Sequence, residues 1–123
     1  MRETDAAELQ QSGTLVDVRE PIRDIDVADL EQRLQQGGIL VDVREPMEYL
    51  GGHVPGARLF PMGQLSSRLA EIDKGDPVYL ICRSGNRSGA MLDLMLAQGF
   101  EAYNVTGGTV AWAKSGRALD QGM

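Results

Sequence analysis

Two rhythms of apolar and polar positions run along this chain: short runs rich in β-formers, and longer stretches with helical spacing. Residues 22–25 read as a short strand. Asp26 then caps a helix reaching about Gln36, with Val27, Leu30 and Leu34 on one face. Residues 39–43 form a near-continuous apolar run, the mark of a strand covered on both sides. Pro46 opens a short helical segment at 47–50, and the Gly- and Pro-rich stretch 51–57 is a loop. A brief strand at 58–60 precedes Pro61. A helix is expected over 64–72, with Leu65, Leu69 and Ile72 as its buried stripe. After a turn at 73–77, a strand at 78–81 delivers Cys82. A helix over 88–98 follows, closed by Gly99, and its stripe Met91, Leu92, Met95 and Leu96 reads as core. Residues 102–105 make another strand, Gly107 and Gly108 break the chain, and a last helix at 109–114 carries Trp112, which packs it onto the sheet. From Gly116 the tail reads as frayed.

Strand and helix alternating through short connections give an α/β fold: a parallel sheet of about five strands with helices on both faces. In such sheets reactive groups collect beyond the carboxyl ends of the strands, where Cys82 falls.

One segment stands outside this order. Residues 9–21 are nearly repeated as 34–46, an offset of 25 residues, and both copies end in Leu-Val-Asp-Val-Arg-Glu-Pro. Two copies are too few for a solenoid. The reading is therefore a domain over 22–119, preceded by a partial duplicate of its start at 1–21 and followed by a tail at 120–123. The duplicate is read as an inert remnant; the alternative is an edge strand formed by residues 14–18. Removing residues 1–21 without changing oligomeric state or melting temperature would eliminate that alternative.

Composition narrows the function. The 123 residues are 42% apolar and 24% charged, ordinary values for a globular domain. A net charge of −6 argues against a nucleic-acid binder. No apolar run approaches the ~18 residues of a membrane span, and the start carries no signal-peptide pattern. A lone cysteine cannot form an internal disulfide, so a reducing cytoplasm is the expected location.

The cysteine sits at the head of Cys82-Arg83-Ser84-Gly85-Asn86-Arg87-Ser88. The backbone amides of 83–88 can turn inward as an anion nest, with Gly85 supplying the left-handed bend. The following helix adds the positive end of its dipole, and Arg83 and Arg87 add fixed charge. An ordinary thiol titrates near ~8.5; such surroundings bring reactive cysteines to ~3.5–7.5. A buried filler cysteine is the competing reading, and the loop's composition outweighs it.

That loop closely resembles the active-site loop of rhodanese-type sulfurtransferases, over roughly residues 22–119. Val41-Asp42-Val43-Arg44-Glu45-Pro46 with Glu48-Tyr49 is similar to the family's first signature, and Gly52-His53-Val54-Pro55-Gly56-Ala57 to its second. Asn104-Val105-Thr106-Gly107-Gly108 with Ala111-Trp112 is similar to its closing motif. The resemblance implies transfer of sulfane sulfur from thiosulfate or a persulfide donor, through a Cys82 persulfide, to cyanide, a small thiol or a protein thiol such as a thioredoxin. Residues 83–88 would cradle the persulfide, with Arg83 attracting the anionic donor and Arg87 shaping the loop or supporting the adduct. No metal or organic cofactor is implied.

Two rivals come from other classes: a persulfide relay between proteins with little free-thiosulfate activity, and a non-enzymatic regulatory domain. The intact cysteine argues against the second. A cysteine phosphatase or arsenate reductase is disfavoured, because four residues separate Cys82 from Arg87 where those enzymes carry five. Asp42 and Arg44 are expected to hold loops as an ion pair or through hydrogen bonds. His53 is expected to be a satisfied turn residue, and Glu48 a solvated helix charge.

Overall fold

The computed structural model describes residues 23–123. The first copy of the repeated segment lies outside the described residues, as does Ile22.

Among the described residues, five strands form one sheet: β1 (Asp24–Ile25), β2 (Ile39–Asp42), β3 (Arg58–Leu59), β4 (Val78–Ile81) and β5 (Ala102–Val105), in the order β1-β5-β4-β2-β3. All neighbouring pairs are parallel. Between and after them lie α1 (Val27–Leu34), α2 (Pro46–Gly51), α3 (Met62–Leu65), α4 (Asn86–Ala97) and α5 (Gly108–Lys114), with one 3-10 turn at Leu69–Glu71.

Strand β4 shows why helices must cover both faces. Its residues are all buried, and they alternate between two cores. Val78, Leu80 and Cys82 join Leu92, Met95, Leu65 and Phe60, under α4 and α3. Tyr79 and Ile81 join Leu30, Tyr49 and Trp112, under α1, α2 and α5. The period of two along a strand sends successive side chains to opposite sides, so an unbroken apolar run needs a partner on each.

The sheet order places the site. From β2 the chain moves outward to β3 through α2, and from β4 it moves the opposite way to β5 through α4. Because β2 and β4 are neighbours, a crevice opens beyond their carboxyl ends where the two connections diverge, the usual binding place in open α/β sheets.

Three elements differ from the sequence expectation. Helix α4 begins at Asn86, two residues before 88, because Gly85 takes a left-handed φ of 107° and turns the chain straight into it. The helix expected over 64–72 breaks into α3 and the 3-10 turn. There the Ser67 hydroxyl donates to the Gln64 carbonyl at 2.9 Å, a local bond that competes with helix continuation. Leu65 and Ile72 stay buried all the same. The tail is docked rather than frayed: Trp112 Nε1 donates to the Ala118 carbonyl, Asp120 and His53 exchange two backbone hydrogen bonds, and Gly122 donates to Leu50.

Candidate active site

Strand β4 ends at Ile81, and the next residue puts its sulfur into the turn that starts α4. Cys82 is only 1% exposed, yet its Sγ faces donors. The Gly85 amide donates to it at 3.1 Å, and the Ser88 hydroxyl lies 3.3 Å away. Burial pushes the thiol up, but hydrogen bonding from the Ser88 hydroxyl and from the amides of Ser88, Gly85 and Ser84 outweighs it, and the net effect lowers the Cys82 pKa. More thiolate is therefore present near neutrality than in a free cysteine.

The Ser88 hydroxyl has a second partner. It donates to Asn104 Oδ1 at 2.6 Å, and one proton cannot serve two acceptors equally. Asn104 stands on β5 opposite Leu80, and its Nδ2 donates to the Gly85 carbonyl at 3.3 Å. One buried amide thus holds both the serine and the glycine that face the sulfur. A polar residue inside the buried run Ala102–Val105 is the sequence signal that marks it, since a strand covered on both sides has no other use for an amide.

The two arginines of the loop differ. Arg87 reaches across the crevice to Glu48 on α2 in a bidentate pair of 2.7 and 2.8 Å, with the side chains 33% and 31% exposed. Glu48 is thus a clamp rather than a solvated charge. The Arg87 guanidinium, helped by a backbone hydrogen bond from Glu45, overcomes burial and holds the Glu48 carboxyl down at about 2. Arg83 is exposed and, among the described residues, makes no ion pair or side-chain hydrogen bond. Ser84 and Asn86 are also exposed at the loop surface.

Beyond β2, Asp42 and Arg44 are buried and paired at 2.8 Å, and Arg44 also donates to the Gly52 carbonyl at 2.8 Å. The pair ties the strand end to the loop after α2. His53 stacks on Tyr49 with ring centroids 3.7 Å apart, and its Nδ1 donates to the Tyr49 carbonyl at 2.9 Å. Its partners Tyr49 and Asp120 lie on α2 and the tail. Thr109, which sequence reasoning assigned no role, donates from its amide and its hydroxyl to the Cys82 carbonyl, both at 2.9 Å. Helix α5 is thereby bolted to the backbone of the cysteine loop. Among the described residues, no group of three or more His, Cys, Asp or Glu could hold a metal ion.

A cleft of about 400 Å³ lies beside the loop, between α2 and α5, with Arg83, Glu48 and Arg44 among its walls. Cys82 does not line it.

Residues 26–115 match the sequence pattern described as the rhodanese-like domain. The chain belongs to the rhodanese-like family. A sulfurtransferase of Allochromatium vinosum is 38% identical over 98 residues, covering 77% of this chain and 92% of that protein. Two Bacillus subtilis proteins match over 66 residues, or 53% of this chain: the uncharacterized protein YqhL at 46% identity and the putative sulfur carrier protein YrkF at 39%. The chain spans only 52% and 36% of their respective lengths. Among solved structures, a rhodanese-like domain protein of Staphylococcus aureus superposes with a TM-score of 0.74 at 31% identity, covering 83% of this chain and all of that one. In this member of the family the lone cysteine lies just beyond the carboxyl end of β4.

Proposed function

We propose that this chain moves sulfane sulfur through a persulfide on Cys82. The observation that carries the reading is the sulfur itself: a lone thiol at a strand end whose pKa is lowered by hydrogen bonds converging on it. The Cys82 thiolate attacks the outer sulfur of a donor such as thiosulfate. A new S–S bond forms, the donor's own S–S bond breaks, and its electron pair leaves with sulfite. The persulfide's outer sulfur is then taken by a nucleophile, cyanide or a thiol, and the Cys82 thiolate departs as the leaving group. One transfer is split into two, as in other covalent catalysis. The Ser84, Gly85 and Ser88 amides, with the Ser88 hydroxyl, stabilise the charge at both stages.

Arg83, exposed and without an ionic partner among the described residues, is the residue that draws the anionic donor. Arg87 holds the loop through Glu48. No organic cofactor or metal enters the cycle.

The mass of the protein before and after thiosulfate tests the first half-reaction. A gain of about one sulfur atom, reversed by cyanide and absent in Cys82→Ser, is the expected result. No gain with the native protein refutes the reading for thiosulfate. A second reading, relay between protein partners, draws support from the similarity to a putative sulfur carrier protein. Rapid sulfur uptake from a protein persulfide, together with negligible thiosulfate:cyanide turnover, would favour the relay.

A further inference from the structure

On the β5 side of the cysteine loop the polar hydrogens can be counted one by one. Ser88 is fully buried and Asn104 is 6% exposed, so both find their partners inside the protein. Asn104 Nδ2 faces two acceptors, the Gly85 carbonyl at 3.3 Å and Asp24 Oδ1 on β1 at 3.5 Å. A carbonyl has no proton to give, nor has an ionised carboxylate. The amide nitrogen is therefore fixed on that side, and its oxygen faces Ser88. That oxygen needs a donor, and the Ser88 hydroxyl supplies it at 2.6 Å. The same hydroxyl lies 3.3 Å from Sγ. A neutral thiol is a weak acceptor and an amide oxygen a good one, so in the resting thiol the proton sits on the Asn104 side.

The persulfide cycle carries charge past this hydroxyl. Charge starts on Sγ of the Cys82 thiolate. The thiolate attacks the outer sulfur of thiosulfate, and sulfite leaves with the electron pair of the broken S–S bond. The charge then lies on the outer sulfur, and Sγ, now neutral, is a weak acceptor again. When cyanide removes the outer sulfur as thiocyanate, the electron pair of the second S–S bond returns to Sγ.

We propose that Asn104 is a positioning residue that keeps the Ser88 proton in reserve, taking it while Sγ is neutral and yielding it while Sγ is charged. The proposal rests on the persulfide reading and deepens it. In each transfer the hydroxyl meets the charge on Sγ. Between the two, the amides of the loop hold the outer sulfur, and the buried hydroxyl keeps a partner in Asn104.

Asn104→Leu removes the reserve and leaves the charged groups around it in place: Arg83 and Arg87 of the loop, Glu48, the Asp42–Arg44 pair, and Asp24. The neutral states then lose one hydrogen bond. The pH midpoint for alkylation of Cys82 should fall by about half a unit to one unit, the reverse of Ser88→Ala. At a fixed ratio of thiosulfate to sulfite, the ratio of loaded to free protein, read by mass, should drop about three- to tenfold. In a Ser88→Ala background, Asn104→Leu should change neither, since no proton is left to hold. A residue that only braces the loop would raise the midpoint in both backgrounds. A midpoint that rises or stays, or an equal effect in both backgrounds, overturns the proposal.

The native protein gives a second reading without any substitution. Asn86 and Asn104 are the only asparagines of the chain, so asparagine labelled with carbon-13 at its side-chain carbonyl gives two signals. The Asn104 carbon should move as Cys82 ionises and return once thiosulfate has loaded the sulfur. A carbon unmoved by ionisation overturns the proposal, as does one that fails to return on loading. If thiosulfate loads no sulfur at any ratio, the persulfide reading fails for that donor, and the persulfide half of this proposal falls with it. The alkylation midpoint and the Asn104 carbon still decide the thiol half.

Discussion

A single hydroxyl proton lies between the Cys82 sulfur and Asn104. Ser88 stands between Sγ at 3.3 Å and Asn104 Oδ1 at 2.6 Å, and ionising the thiol favours turning that proton toward sulfur. Removing it in Ser88→Ala leaves the Gly85 amide as the nearest donor and lets burial push the thiol up. The pH midpoint for alkylation of Cys82 should move upward, and turnover near pH 6 should fall on the order of tenfold, the value of one hydrogen bond to a charged group. Ser88→Thr, which keeps the hydroxyl, should restore most of it. An unshifted alkylation midpoint in Ser88→Ala would mean that the amides alone set the thiol. Cys82 and Ser88 were legible from the chain because reactive-loop chemistry is local. Asn104 was not assigned a role, because its partners, Ser88 and Gly85, come from another element.

Among the elements, α5 has the closest hold on the loop. Gly108 opens it with φ at 59°, and a Cβ there would lie 2.5 Å from the Cys82 carbonyl and 2.6 Å from that of Arg83. Both neighbours are backbone, so neither can swing aside. Gly108→Ala should cost about 2–4 kcal/mol through the left-handed φ and the clash. It should lower the melting temperature by roughly 10–20 °C and slow persulfide formation in the fraction that stays folded. A variant with native melting temperature and native loading would show that α5 and the loop separate freely. The glycine pair was read in the sequence as a chain break before the last helix. That the second glycine lies against the backbone of the cysteine loop follows from packing, which no local pattern encodes. The same holds for the tail, whose polar composition reads as frayed until Trp112, His53 and Leu50 supply partners.

Across the whole molecule, the Glu48–Arg87 pair joins α2, on one face of the sheet, to α4, on the other. The Glu48 pKa is lowered from 4.5 to about 2, so its contribution to stability is fully present above about pH 4.5 and is lost as pH falls through about 2. Native protein should exceed Glu48→Gln in urea midpoint at neutral pH, and the gap should close on approach to about pH 2. A gap that stays constant down to about pH 2.5 would place the effect of the substitution in packing instead of charge. The amino-acid sequence by itself determined the alternating elements, the parallel sheet covered on both faces and the lone cysteine at a strand end. Periodicity, turn chemistry and loop composition act over a few residues, and so can be read from the chain. Tertiary structure alone decided which arginine is clamped and which stays open, that Asn104 serves the sulfur, and that an apolar cleft lies beside the loop. Each of these depends on residues far apart in sequence that meet only once β2, β4 and β5 lie side by side.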